Sequence, residues 1–221
     1  MKIEQLLALP PRLEPYRLLE IGTGSGGIAH YFGVQATHRY DVTAVDVVDQ
    51  RLVHDGYRYV QVAGAALPFE DRAFDVVVTN HVIEHVGDEA AQLAHLQEVR
   101  RVLKPDGVGY LAVPNRWMLV EPHYRLPFLS WLPRGWRTPY LQAARRGRHY
   151  DCEPLTLGEI ETLLAEAGLA FENVCVPAWR ATLDIERPGS RMAKCLKVVP
   201  DSCLTPLRPM IPTLIYRLKR A

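Results

Sequence analysis

Glu20-Ile21-Gly22-Thr23-Gly24-Ser25-Gly26-Gly27 follows directly on the apolar run Tyr16 to Ile21 and precedes Ile28, Tyr31 and Phe32, which sit at helical spacing. A glycine-rich turn placed between a strand and a helix lets the backbone approach a ligand closely, and the new helix presents free N–H groups toward it. Gly22, Gly24 and Gly27 also satisfy the dinucleotide pattern Gly-x-Gly-x-x-Gly. The turn alone therefore leaves the identity of the ligand open.

Outward from this turn, strand-like and helix-like patterns alternate to about residue 115. Tyr40 to Val45 reads as a second strand ending on Asp46, Tyr57 to Val62 as a third, and Phe74 to Thr79 as a fourth. The fourth is a continuous apolar run, which suits the middle of a parallel sheet with both faces covered. Asp88 is placed to cap a helix carrying Leu93, Leu96, Val99 and Leu103, which Pro105 and Gly107 end; Val108 to Val113 is the fifth strand. This alternation predicts an α/β, doubly wound sheet. Residues 114–150 break it with prolines, tryptophans and arginines, as an insertion or lid would. Thr156, with Glu159 three residues on, opens another helix that Gly168 closes. Strands at about Ala170 to Val176 and Leu214 to Leu218 are expected to pair antiparallel across a second insertion, 178–212, where one helix fits before Pro200, Pro206, Pro209 and Pro212 interrupt. A single domain over 1–221 with these two insertions is the expectation.

The 221 residues are 48% hydrophobic and 23% charged, an ordinary globular composition. The longest apolar runs fall far short of the roughly 18 to 20 residues that a bilayer helix requires. Met1 to Tyr16 lacks the apolar core and small-residue cleavage site of a signal peptide, so a cytoplasmic location is expected. Cys152, Cys175, Cys195 and Cys203 form no Cys-x-x-Cys pair and are expected to be reduced thiols. Net charge is +1, yet residues 1–115 carry 10 Lys and Arg against 15 Asp and Glu, whereas 116–221 carry 16 against 10. Arg116 to His149 alone holds seven arginines and one acid, Glu121. Solvated faces explain such an imbalance; so does an acidic or lipid-linked small-molecule partner or an anionic membrane surface. No nucleic-acid-binding module accompanies it, and a pI near 7.7 gives no basic footprint, so nucleic acid is not the expected partner.

Three further segments complete a pattern. Asp46 ends the second strand, Ala65-Ala66-Leu67-Pro68-Phe69 precedes Phe74-Asp75-Val76-Val77-Val78, and Arg101-Val102-Leu103-Lys104-Pro105-Asp106-Gly107 leads into the fifth strand. Together with the glycine turn, these segments resemble the class I S-adenosylmethionine-dependent methyltransferases over residues 16 to about 115. The resemblance implies a Rossmann-like, seven-stranded sheet, mostly parallel with an antiparallel last strand, and S-adenosylmethionine as cofactor. It further implies that Glu20, Gly22, Thr23, Gly24 and Gly26 surround the methionine portion, with Glu20 toward its amino group. Asp46 would hold the ribose, adenine would lie against Val47, Gly64 and Ala65, and Asn80 would complete the contacts. The chain departs from the family at Ala63, where an Asp commonly meets the adenine amino group.

Methyl transfer from a sulfonium is an in-line displacement that needs a base only if the acceptor is protonated. Asn80-His81-Val82-Ile83-Glu84-His85 follows the fourth strand, at the edge where open α/β sheets place ligands. His81 and His85 are candidate bases there, with His123 and His149 as candidates from the insertion. His-x-x-Glu-His also resembles the Glu-x-x-Glu-His that binds a divalent metal in ubiquinone-pathway O-methyltransferases and in RNA 3′-terminal 2′-O-methyltransferases. His81, Glu84 and His85 would be the ligands, although many relatives carry such a segment with no metal, and Glu84 and His85 could instead close a turn. Trp117, Trp131 and Trp136 would line an apolar acceptor pocket or pack the insertion. The expected reaction is O-methylation of a small molecule. A nitrogen or carbon acceptor, a non-catalytic cofactor-binding role and an NAD-dependent oxidoreductase are the alternatives.

Overall fold

The computed structural model describes residues 2–221 apart from the side chains of Met192, Ala193, Cys195 and Lys197, so one of the four expected thiols, Cys195, lies outside the described residues. Seven strands form one sheet: β1 (Tyr16–Ile21), β2 (Tyr40–Asp46), β3 (Arg58–Gln61), β4 (Phe74–Asn80), β5 (Leu103–Pro114), β6 (Leu169–Asn173) and β7 (Thr213–Arg220). Their order across the sheet is β3-β2-β1-β4-β5-β7-β6. β1 to β5 pair in parallel, and β7 runs antiparallel to both β5 and β6. Leu18, Leu19, Val76, Val77 and Val78 are buried, as the unbroken apolar runs of β1 and β4 require.

After α1 (Lys2–Leu7) and the short α2 (Gly27–His30), which follows the glycine turn, the helices follow their capping residues. In α3 (Glu89–Val102) the Asp88 carboxylate accepts the Ala91 N–H at 3.0 Å. In α5 (Leu157–Glu166), Thr156 and Glu159 form a reciprocal capping box, and Gly168 follows in the left-handed region at φ +70°. α3 packs on α5, while α1 (Lys2–Leu7) packs on α6 (Cys175–Glu186).

The structure differs from expectation at three places. β5 begins at Leu103 because the segment around Pro105 to Gly107 stays within the strand as an irregularity: Phe74 pairs with Leu103 and Val76 with Val108. β6 stops at Asn173, and the second insertion holds α6, α7 (Arg191–Val198), α8 (Asp201–Leu204) and a 3₁₀ segment, Thr205–Met210, rather than one helix. Its prolines divide the helical chain into short pieces. The first insertion has a small core of its own, Leu126, Leu129, Leu141, Tyr150 and Cys152, beneath a two-stranded ribbon pairing Val120–Glu121 with Leu126–Pro127. It also contains α4 (Arg134–Ala143). Cys152, Cys175 and Cys203 are free thiols, and no helix is long and apolar enough to cross a membrane among the described residues.

Asp75 locks the lower edge of the sheet. Its carboxylate accepts bonds from Arg12 at 3.0 and 3.1 Å, Lys104 at 2.9 Å and the Arg17 N–H at 2.9 Å. Burial alone would raise its pKa, but these donors, Arg12 first, hold the carboxyl well below the usual range. A carboxyl depressed in the folded state stabilises above its unfolded pKa and loses that contribution as pH falls through the folded one. Asp75→Asn is therefore expected to cost about 1 to 3 kcal/mol at neutral pH. Urea titrations at several pH values should show the gap to wild type closing progressively below about pH 4.

Candidate active site

β1 lies between β2 and β4, so the connections leaving β1 and β4 diverge and open a crevice at the carboxyl ends of these strands. A cavity of about 710 Å³ occupies it, with Gly22, Gly24, Asp46, Val47, Gly64 and Ala65 on one wall. His81, His85 and His123 also line it.

Two of the turn's glycines leave no room for a side chain. A Cβ on Gly22 would lie 2.3 Å from Val82 Cγ2, and one on Gly26, at φ +84°, would lie 2.3 Å from the Tyr57 hydroxyl. Asp46 ties the end of β2 to this turn: Oδ2 accepts the Gly24 N–H and Oδ1 accepts the Val47 N–H, both at 2.8 Å. Glu20 lies beneath, 1% exposed, accepting the Thr23 hydroxyl at 2.6 Å. Burial pushes its pKa up to about 7, against the bonds from Thr23 and Ala29 and with the help of nearby Asp46. A buried carboxyl so placed is poised to meet a cation.

At the histidine end, the chain leaves β4 through His81 in the left-handed region at φ +57°, its N–H held by the Ala112 carbonyl at 2.9 Å. A strained backbone at a strand's carboxyl end is a frequent feature of functional sites. His81 Nδ1 is 3.4 Å and His85 Nε2 4.0 Å from the same Glu84 oxygen. Glu84 is fully buried, and neither of its carboxylate oxygens has a hydrogen-bond partner among the described residues. The insertion delivers His123, whose ring meets that of His85 edge-on at 5.4 Å. Glu121, 1% exposed, accepts from His123 Nδ1 at 2.7 Å and from the Tyr124 N–H at 2.7 Å. Cys152 Sγ is 3.8 Å from His85 Nδ1, and burial pushes the thiol pKa upward. Burial drives the pKa of His95, which also lines the cavity, down to about 4, so it stays neutral near pH 7.

Nine of the expected residues therefore border one cavity, while Glu20, Thr23 and Gly26 lie in or beneath its turn and Asn80 precedes His81 without lining the wall. His149 is not brought in. It is exposed, its carbonyl accepts the Tyr124 hydroxyl, and its neighbour Tyr150 turns into the insertion's core. Trp117, Trp131 and Trp136 do not line the cavity either. Three sets of possible metal ligands lie within 4.8 Å of one another among the described residues: Glu84, His85 and His123; His85, Asp151 and Cys152; and Glu121, His123 and Cys152. The expected set of His81, Glu84 and His85 is not among them, although His81 Nδ1 is 3.4 Å from Glu84. Gln50, Val62, Leu67, Val82, Val86 and His95 on the wall, and Cys152 beside His85, were not singled out by the sequence. His95 alone carried a signal, a histidine on the apolar face of α3.

Residues 19–111 match a family described as a methyltransferase domain. Over that segment the chain carries a methyltransferase domain of the S-adenosylmethionine-dependent kind. It is 28% identical over 73% of its length to a ubiquinone biosynthesis O-methyltransferase of Parvibaculum lavamentivorans, and 31% identical over 74% to one of Cereibacter sphaeroides. It spans 61% and 64% of those relatives' own lengths. The fold of the chain also matches the crystal structure of the YcgJ protein from Bacillus subtilis, with a TM-score of 0.59 at 19% identity, covering 99% of this chain and 97% of that one.

Two measurements check the cofactor end. If Glu20 receives the cofactor's ammonium, its carboxylate form is the binding form. Affinity for S-adenosylhomocysteine should then rise with pH up to about 7 and level off above, and Glu20→Gln should flatten that rise. Asp46→Ala should weaken calorimetric affinity by about 1.5 to 3 kcal/mol, the range for a charge-assisted hydrogen bond; unchanged affinity would remove Asp46 from the ribose site.

Proposed function

We propose that this methyltransferase transfers the methyl group of S-adenosylmethionine to a hydroxyl oxygen of a small molecule. The observation that carries this reading is the pairing of His123 with buried Glu121 on the cavity that the glycine turn shares. A carboxylate accepting from Nδ1 keeps the proton there and leaves Nε2 with its lone pair, the form able to take a proton from an acceptor. Glu84 sets a negative charge beside His81 and His85, which stabilises positive charge arriving at that end of the cavity. The remaining contribution is positional, because displacement at a methyl carbon requires the acceptor oxygen in line with the departing sulfur. A protein that only bound the cofactor would have no use for this oriented imidazole. Relatives named as O-methyltransferases support oxygen as the acceptor atom.

One observation favours a second reading. A fully buried carboxylate with no hydrogen-bond partner among the described residues is costly, and Glu84, with His85 and His123, offers one oxygen and two nitrogen ligands. That set suits a transition-metal dication better than magnesium, and such an ion would polarise the hydroxyl. Metal analysis of the purified protein, with a manganese or zinc titration of wild type and Glu84→Gln, tests it directly. Stoichiometric metal lost in the variant supports it, and equal weak binding to both proteins removes it.

Transfer of labelled methyl groups to a panel of phenols, catechols, amines and activated carbon acids is expected to succeed with the hydroxyl compounds. His123→Ala should lower kcat by ~10²-fold to 10⁴-fold, the usual contribution of a positioned base, with cofactor affinity little changed. Glu121→Gln should lower kcat less and shift its pH profile. Full activity of His123→Ala, or products methylated only at nitrogen or carbon, would contradict the proposal.

A further inference from the structure

We infer that the outer face of the first insertion is a docking surface for an anionic lipid bilayer. The ribbon that carries Glu121 inward alternates, so its neighbour Val120 points out, and around it Trp117, Leu119, Phe128 and Trp131 are all exposed. Leu119 is 61% and Phe128 50% exposed. Trp117 meets Trp131 edge-on at 5.4 Å and Trp131 meets Phe128 at 5.2 Å, so the rings form one cluster rather than scattered surface residues. None of these five lines the cofactor cavity, which leaves the acceptor pocket without a claim on them. A contiguous apolar face of this kind marks an interaction site.

Charge selects the occupant. The one acid between Arg116 and His149, Glu121, is buried against His123. Arg125 at the ribbon's turn, and Arg145, Arg146 and Arg148 in the loop that Tyr124 bridges to the ribbon, are exposed and make no ion pair among the described residues. A second copy docking through the same face would bring like charges together. An anionic bilayer satisfies both features: tryptophans settle at the headgroup level, and unpaired arginines meet the negative surface potential. The inference stands independently of the acceptor atom proposed above, since it concerns the outside of the ribbon.

Flotation of the whole protein with vesicles tests it, comparing phosphatidylcholine alone with an equal mixture of phosphatidylcholine and phosphatidylglycerol. Partition onto the mixed vesicles should be at least ~10-fold stronger and should fall in high salt. Leu119→Asp and Phe128→Asp, made singly, should each reduce it by ~10-fold or more, with S-adenosylhomocysteine affinity and circular dichroism unchanged to show that the fold survives. Equal or absent partition onto the two vesicle types would overturn the inference. So would a dimer in sedimentation velocity that Leu119→Asp dissociates, since a second copy would then cover the face.

Discussion

Parallel pairing of β1 with β2 on one side and β4 on the other is the constraint on which the rest depends. Ile21 is level with Val45 and with Thr79, so three chains leave the sheet at one height. Gly22, Asp46 and Asn80 are therefore the next residues out, and their loops must diverge around a common space. The Asp46 bond to the Gly24 N–H fastens two of the three loops together, and Val82 closing over Gly22 fastens the third. A register shift of one residue between β1 and β2 would carry Asp46 away from the turn and break its bond to the Gly24 N–H.

The first insertion adds what the sheet cannot supply. Its small core anchors a ribbon whose inner side carries Glu121 and His123 to the histidines after β4. The site thereby gathers two carboxylates with almost no exposure, Glu84 and Glu121, beside several imidazoles. Burying such charge is expensive without compensation, which is the signature of a place built to handle protons or cations rather than to pack. Glu20 at the opposite end follows the same logic, a carboxyl raised by burial awaiting a positive partner.

Much of this was legible in the sequence, and the boundary has physical causes. The strands, the caps at Asp88 and Thr156, the Gly168 terminus and the antiparallel last strand were readable because each rests on local rules of periodicity and hydrogen bonding. The cavity wall from Gly22 to Ala65 was readable because its residues sit directly at strand ends. His123 and His149 could not be told apart, since both lie in aperiodic chain, and only the ribbon's alternation and the burial of Tyr150 send one inward and the other out. Likewise, the His81, Glu84, His85 spacing suggested one ligand set, whereas His123, far along the chain, joins Glu84 and His85 in another. The outward tryptophans were ambiguous for the same reason.

The proposed role of the turn following β1, closed by Asp46, is to receive the sulfonium nucleoside rather than a dinucleotide. Calorimetric titration of the purified protein against S-adenosylhomocysteine and, separately, NAD tests it most directly. Micromolar, one-to-one binding of the first and no detectable binding of the second are expected. Binding of NAD, or of neither ligand, would contradict that role.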